Sequence, residues 1–597
     1  MRQKRLHLCL LALAPSALRI VGLGLRLAEA IICRFVARQA ATGPFTSGVS
    51  LERNVLVPMR DGVRLATDLY RPTGPGPFPV ILIRLPYGKS GIGGLLASFF
   101  ARYGYLVAAQ DTRGRYDSEG EFYPWACEQA DGHDTVRWLA AQPWCNGKIG
   151  TLGASYFGYT QWALAPGNPQ VTALLPIFTA SSIYNAFYAG GAFLKMAALG
   201  WSLENCGRRY AAVGARKLWK GYEHLPLITS DDAALHNIPF FDDWVSHPTP
   251  DDYWAAIDVT AKIPTISAPV FLVSGWYDLF NVPQLDDWAE IQKRAKAPVR
   301  ELSKIIIGPW NHSFVNPHQR NYGLRAPLWQ YPLEPVGDWK RWFDYVLKGE
   351  PNGWGEQAPV RLYVLGENRW RDEQEWPLAR TVYTRYYLRS AGRANTARGD
   401  GWLDACPPTD SEPADSFVYD PLRPVPTVGG ANLDPRHAGP ADQRRVEARE
   451  DVLVYSTSPL TQATEVTGPV VLTLFASSDA PDTDFTAKLV DVFPDGRALL
   501  LCDGIIRARY RNGLDRPELL QAGAVYRFTI RLGNTSVLFG AGHRIRLEVS
   551  SSNFPRFDRN PNTGTDVARE GQTRAARQRV WHDAERPSYL ALPIIPR

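Results

Sequence analysis

Gly150-Thr151-Leu152-Gly153-Ala154-Ser155-Tyr156-Phe157-Gly158 decides how the rest of the chain is read. Ile149 leads an apolar run into it, and Asn146-Gly147-Lys148 ahead of that run is a tight-turn signal. Tyr159, Thr160, Gln161, Trp162 and Ala163 continue as the start of a helix. Strand, sharp turn and helix in this order predict an elbow that lifts the Ser155 hydroxyl clear of a sheet edge. Gly153 is expected where no Cβ fits, and the following helix would aim its free N–H groups at the reacting centre. The usual pattern is G-x-S-x-G; here Phe157 takes the last position and the glycine follows at Gly158. One such turn in a long chain is weak evidence, so the weight falls on what surrounds it.

The 597 residues exceed what one core supports, and two to four domains are expected. Hydrophobic content of 45% and charge of 21% are those of a globular protein. Residues 1–45 hold seven Arg or Lys and the single acid Glu29, and this excess accounts for the whole formal charge of +6. The neutral remainder excludes a nucleic-acid surface. Seven cysteines are scattered without C-x-x-C or metal-ligand spacing, so neither a zinc site nor a disulfide framework is expected. A Cys127–Cys145 bridge stays open, and no cofactor is implied.

Basic Met1-Arg2-Gln3-Lys4-Arg5 and the apolar run from Leu6 to Leu18 have the form of a secretory signal, without a clear cleavage site. At helical spacing Arg19, Arg26, Arg34 and Arg38 share one face, and Val21, Leu25, Ala28, Ile32 and Phe35 the other. Residues 1–45 therefore have three open readings: signal, misassigned start, or basic surface helix with peripheral membrane contact through residues 1–40. From residue 51 a hairpin, then strands and helices in βαβ alternation, predict a mostly parallel α/β sheet over 46–180 and 264–350. Residues 181–263 are helical and aromatic, which reads as a cap inserted in that domain. After a linker at 349–359 the sequence is β-rich, and 360–597 is expected to form a jelly roll. The predicted fold class is thus α/β, a mostly parallel sheet with an inserted helical cap, followed by a C-terminal β jelly-roll domain.

Three strand ends now align. Ser155 ends one; Asp278 closes Ser274-Gly275-Trp276-Tyr277-Asp278; His312 closes Gly308-Pro309-Trp310-Asn311-His312. The order Ser, Asp, His and the position beyond the strands' carboxyl ends fit a nucleophile, an orienting acid and a general base. His133 and His318 are the substitutes for the base. An oxyanion hole needs two donors: the Tyr156 backbone N–H from the elbow, and one from Pro86-Tyr87-Gly88, where the Tyr87 phenol either donates or merely packs. Trp276, Tyr277 and Trp310 are expected as walls of the substrate pocket.

Met59-Arg60-Asp61-Gly62-Val63-Arg64-Leu65, Pro86-Tyr87, the Gly153–Gly158 elbow, Gly275-Trp276-Tyr277-Asp278 and Gly308-Pro309-Trp310-Asn311-His312 resemble the CocE/NonD hydrolases, relatives of the X-Pro dipeptidyl-peptidases. In the C-terminal part Asp482-Thr483-Asp484-Phe485 and Ser550-Ser551-Ser552-Asn553-Phe554-Pro555-Arg556 extend the resemblance, which leaves out residues 1–45. It implies an α/β-hydrolase domain with inserted helical cap and a C-terminal jelly-roll domain. It also implies a serine hydrolase with Ser155, Asp278 and His312 as triad and Tyr87 and Tyr156 as oxyanion hole, and it explains the late glycine of the elbow. In the amino-ester enzymes of this family, acidic residues follow the catalytic aspartate; here Leu279, Phe280 and Asn281 stand there. A carboxylesterase acting on a small-molecule ester or amide is therefore expected. The alternatives are an X-Pro dipeptidyl-peptidase or an α-amino-acid ester hydrolase or acylase, and, remotely, a non-catalytic jelly-roll binding protein. Cap carboxylates such as Asp231, Asp242 or Asp243 are the residues that would favour an amino substrate. Oligomeric state and cellular location are not legible.

Overall fold

The computed structural model describes residues 32–38, 42–314, 334–434 and 437–596. Ten strands form the first sheet: β1 (Val49–Pro58), β2 (Arg64–Pro72), β3 (Phe78–Leu85), β4 (Leu106–Asp111), β5 (Cys145–Ala154), β6 (Val171–Ile177), β7 (Phe271–Tyr277), β8 (Lys304–Asn311), β9 (Val360–Val364) and β10 (Arg369–Glu373). Their order across the sheet is β1-β2-β4-β3-β5-β6-β7-β8-β9-β10. From β4 to β9 neighbours run parallel, and antiparallel strands close both edges. Helices cover the parallel part, so strands such as β4 and β7 are buried along their whole length. Among these helices α1 (Ile92–Ala101), α2 (Glu128–Ala140) and α3 (Tyr156–Leu164) follow β3, β4 and β5.

The cap lies between β6 and β7 and is mainly helical, as expected, with α4 (Lys195–Asn205) and α5 (Pro239–Ser246) among its helices. It also holds a small hairpin, Tyr188–Ala189 against Ala192–Phe193. This hairpin ties the cap to the C-terminal domain: the Arg507 N–H donates to Gly190 O at 2.8 Å, and the Phe193 N–H to Asp558 at 2.8 Å. A Cβ on Gly190 would stand 2.1 Å from Ile505 O, so this approach requires glycine. After the cap and β7, α6 (Asn281–Arg294) leads towards β8, and α7 (Glu334–Phe343) precedes β9.

Two expectations are corrected. The hairpin β9–β10 does not begin the jelly roll at residue 360; its strand β9 pairs in parallel with β8, and the hairpin completes the first sheet as far as Glu373. The C-terminal domain is the separate 11-stranded sheet that starts at Val382–Arg389. Of the N-terminal segment, only residues 32–38 and 42–45 are described; 32–38 form a helix, and Cys33 and Ala37 are its buried residues, in place of the expected Ile32 and Phe35 face. Cys33 reaches Leu95 O of α1, so this turn packs on the catalytic domain. Among the described residues no helix is long and apolar enough to cross a membrane, and no bridge joins Cys127 and Cys145.

Buried charge in the C-terminal sheet gives one stability prediction. The fully buried His582 ring is held between Glu412 and Asp415, each at 3.0 Å, with the Tyr455 hydroxyl donating to Asp415 at 2.7 Å. Burial alone lowers the imidazole's pKa, but the two carboxylates outweigh it and raise it. A raised folded-state pKa contributes stability that is complete below about pH 6.5 and is lost as pH rises through the higher folded value. The melting temperature is therefore expected to fall between pH 6 and pH 9, and His582→Gln, melted at the same two values, to flatten that fall.

Candidate active site

β5 delivers Ser155 at the centre of the sheet, with φ of 57° and ψ of −125°, a left-handed conformation that non-glycine residues adopt at a cost. The surroundings enforce it. The Ser155 N–H donates to Ile177 O at 2.9 Å, and α3 starts at the next residue. A Cβ on Gly153 would lie 2.3 Å from Phe157 O, and one on Gly158 2.6 Å from Thr179, so both glycines of the elbow are steric necessities. Tyr156 is the first residue of α3, and its N–H has no acceptor within the helix.

Asp278 follows β7 and His312 follows β8. The Asp278 carboxylate is fully buried; Oδ2 lies 2.6 Å from His312 Nδ1 and Oδ1 accepts the Phe280 N–H at 2.8 Å. With Nδ1 engaged, Nε2 is the ring nitrogen of His312 that has no hydrogen bond among the described residues. The imidazole packs against Phe178 and Phe280, ring centroids 5.9 and 5.5 Å away. Phe280 lines the same cavity as Ser155. His133, the first substitute, is on α2 with Pro166 as hydrogen-bond partner and does not line that cavity; His318 lies outside the described residues.

Tyr87 is placed by its loop. The Lys89 N–H and ammonium both donate to Asp111, at 2.7 and 2.9 Å, and the Arg115 guanidinium donates to Pro86 O at 2.9 Å and to Asn205 O of α4 at 2.7 Å. The Tyr87 hydroxyl accepts the Trp201 indole N–H at 2.9 Å and is hydrogen-bonded to Ser155. Burial pushes the phenol up to about 12, against the pull of those two bonds, so it keeps its proton at neutral pH.

The cavity at Ser155 encloses about 480 Å³, part of it open to solvent. Trp125, Tyr156 and Trp201 form one wall as a near-parallel stack, with interplanar angles of 7° to 25°. Phe187 and Ile183 of the cap and Leu279 and Phe280 after Asp278 continue it, and Leu433 arrives from the C-terminal domain. Among the described residues no Asp, Glu, Lys or Arg lines it. Asp231 is buried elsewhere, accepting the Ile238 N–H at 2.5 Å, with burial raising its pKa to about 6. Asp242 accepts from Asn237, and Asp243 from the Tyr123 hydroxyl.

The expected aromatic walls are corrected. Trp276, Tyr277 and Trp310 are buried and none lines this cavity. Trp310 folds over Gly308, where a Cβ would meet its ring at 2.3 Å, and Trp276 donates its indole N–H to Tyr363 O at 2.7 Å. Trp276 and Trp310 pack against Trp376 and Trp370, and Tyr277 with Trp276 faces Leu501 and Cys502 of the C-terminal domain. Asn281 likewise turns inward: its amide donates to Gly275 O at 3.1 Å and its Oδ1 accepts from Asn534 at 3.3 Å. The walls that sequence reading missed, Trp125, Trp201 and Phe187, carry no local pattern that separates them from core aromatics.

The chain matches the family model for the X-Pro dipeptidyl-peptidase (S15 family) over residues 61–314, and that for the X-Pro dipeptidyl-peptidase C-terminal non-catalytic domain over 352–591. It is 42% identical to the cocaine esterase of Rhodococcus sp. (strain MB1 Bresler) over 578 residues, covering 92% of this chain and 99% of the esterase. Among solved structures it resembles an aminopeptidase from a marine sediment archaeon (Thaumarchaeota), with a TM-score of 0.78 and 26% identity over 92% of this chain and 97% of that one. An α-amino acid ester hydrolase matches with a TM-score of 0.76 and 26% identity, over 92% and 98% of the two chains.

Proposed function

The chain belongs to the CocE/NonD hydrolases of the S15 family and is a serine ester hydrolase; on that premise we propose that it cleaves esters of neutral, apolar or aromatic carboxylic acids through an acyl-enzyme on Ser155. The observation that carries this reading is the cavity beside Ser155, whose lining among the described residues is mainly aromatic and aliphatic and holds no carboxylate. An ammonium buried there would be unpaired, at a cost of several kcal/mol, whereas an aryl or alkyl acyl group leaves nothing unsatisfied.

In this mechanism the Ser155 hydroxyl attacks the ester carbonyl while His312 Nε2 takes its proton. Asp278, held to Nδ1, fixes the tautomer and stabilises the imidazolium. The carbonyl oxygen, now anionic, receives the Tyr87 O–H and the Tyr156 N–H. His312 returns the proton to the departing alcohol. A water molecule, deprotonated by the same nitrogen, then attacks the acyl-enzyme and releases the acid and Ser155. Tyr87→Phe removes one oxyanion donor, so kcat is expected to fall ~10²–10³-fold with little change in KM. A change confined to KM would make Tyr87 a packing residue.

The second reading, an amino-ester hydrolase or dipeptidyl-peptidase, is favoured by the two solved structures it resembles, whose names state activity on amino substrates. The experiment that separates the two is kcat/KM for a phenylacetate ester and its α-amino counterpart with the same leaving group. A higher value for the neutral ester is expected. A tenfold preference for the amino ester would overturn the proposal.

A further inference from the structure

A buried ion pair, Arg84–Glu128, lies outside the chemistry described so far, with both side chains almost wholly excluded from solvent and Arg84 Nη2 3.0 Å from Glu128 Oε2. Isolating two such charges from water is costly, and their retention beside an apolar cavity asks for a reason. The other carboxylate oxygen, Oε1, accepts the Tyr156 hydroxyl at 2.8 Å, and that hydroxyl accepts the Trp125 N–H at 2.9 Å. Tyr156 is the elbow residue whose N–H faces the oxyanion.

Arg84 leads to the other donor. It stands near the end of β3, three residues before Tyr87. Its remaining groups are fixed by Gln110 Oε1 at 2.9 Å and Glu128 O at 3.0 Å, and its carbonyl accepts the Thr160 hydroxyl of α3 at 3.1 Å. Trp201 closes the circuit from the cap: its ring lies parallel to Tyr156, with centroids 5.8 Å apart, and its N–H donates to the Tyr87 hydroxyl. Tyr156, Glu128 and Arg84, with Tyr87 and Trp201, thus form a ring that holds both oxyanion donors, made of side-chain contacts except between Arg84 and Tyr87, where the backbone of residues 85–86 closes it.

We propose that Arg84 and Glu128 are positioning residues of the oxyanion hole, setting the spacing between the Tyr87 hydroxyl and the Tyr156 N–H. The inference rests on the oxyanion hole assigned above. Hydrogen-bond donors act on a transition state only within a few tenths of an ångström of their required place, so loosening the ring costs turnover more than binding.

The test is a double-mutant cycle on the full chain. Glu128→Gln keeps an acceptor for Tyr156 and removes the charge that binds Arg84. Tyr156→Phe keeps the ion pair and removes the link to it. Each is expected to lower kcat about tenfold or more with KM within about twofold, and to weaken an alkyl boronic acid, which forms a tetrahedral adduct on serine, by a similar factor. In a Tyr87→Phe background, where the hole has already lost a donor, the Glu128→Gln loss should shrink below about threefold. An undiminished loss in that background, or a lowered melting temperature with kcat intact in both variants, overturns the proposal. A Tyr87→Phe enzyme with full kcat would overturn the oxyanion-hole assignment itself, and this inference with it.

Discussion

Ser155→Ala is expected to lower kcat on any ester substrate by about 10⁶-fold, to the residual rate that binding and the oxyanion hole sustain. The size follows from the shared role of the triad: without the nucleophile, His312 has no proton to take and Asp278 nothing to orient. The fold should persist. The hydroxyl's hydrogen bond runs to Tyr87, whereas the backbone of the turn is tied by the Ser155 N–H to Ile177 O, which alanine retains. Circular dichroism and a melting curve alongside the kinetics separate loss of chemistry from loss of structure. Turnover within tenfold of the parent would place the nucleophile elsewhere.

The second large effect belongs to Asp278→Asn, expected to cost about 10⁴-fold in kcat with KM nearly unchanged. The carboxylate is buried and each of its oxygens already has an acceptor's task, Oδ1 from the Phe280 N–H and Oδ2 towards His312. Asparagine can satisfy Phe280 with its one oxygen, and its amide then faces Nδ1 as a donor. That arrangement leaves the proton on Nε2, where the base should be free. A loss of less than tenfold would show that another group orients His312.

The elbow was legible because its sterics are local. Gly153 and Gly158 are dictated by contacts within α3 and with Thr179, and a strand, glycine and helix in sequence announce them. Asp278 and His312 were legible for a related reason: parallel strands end on one edge, so polar residues after apolar runs gather there. What escaped depended on distant partners. The run of β9 reads as a strand, but nothing local says that it continues the sheet of β8 instead of opening the next domain. Trp276, Tyr277 and Trp310 lie beside the site in sequence, yet strand ends buried on both faces turn such rings into packing. The cavity is instead walled by Trp125, Trp201 and Phe187, from a loop and the cap, whose aromatic spacing is that of any helical core.

Peptide-level mass spectrometry after treatment with a fluorophosphonate tests the central claim most directly, because such a probe reacts only with an activated serine. The account predicts one adduct, on Ser155, that disappears in Ser155→Ala and forms far more slowly in Asp278→Asn. An adduct on another residue, or none in an enzyme that hydrolyses esters, would contradict it.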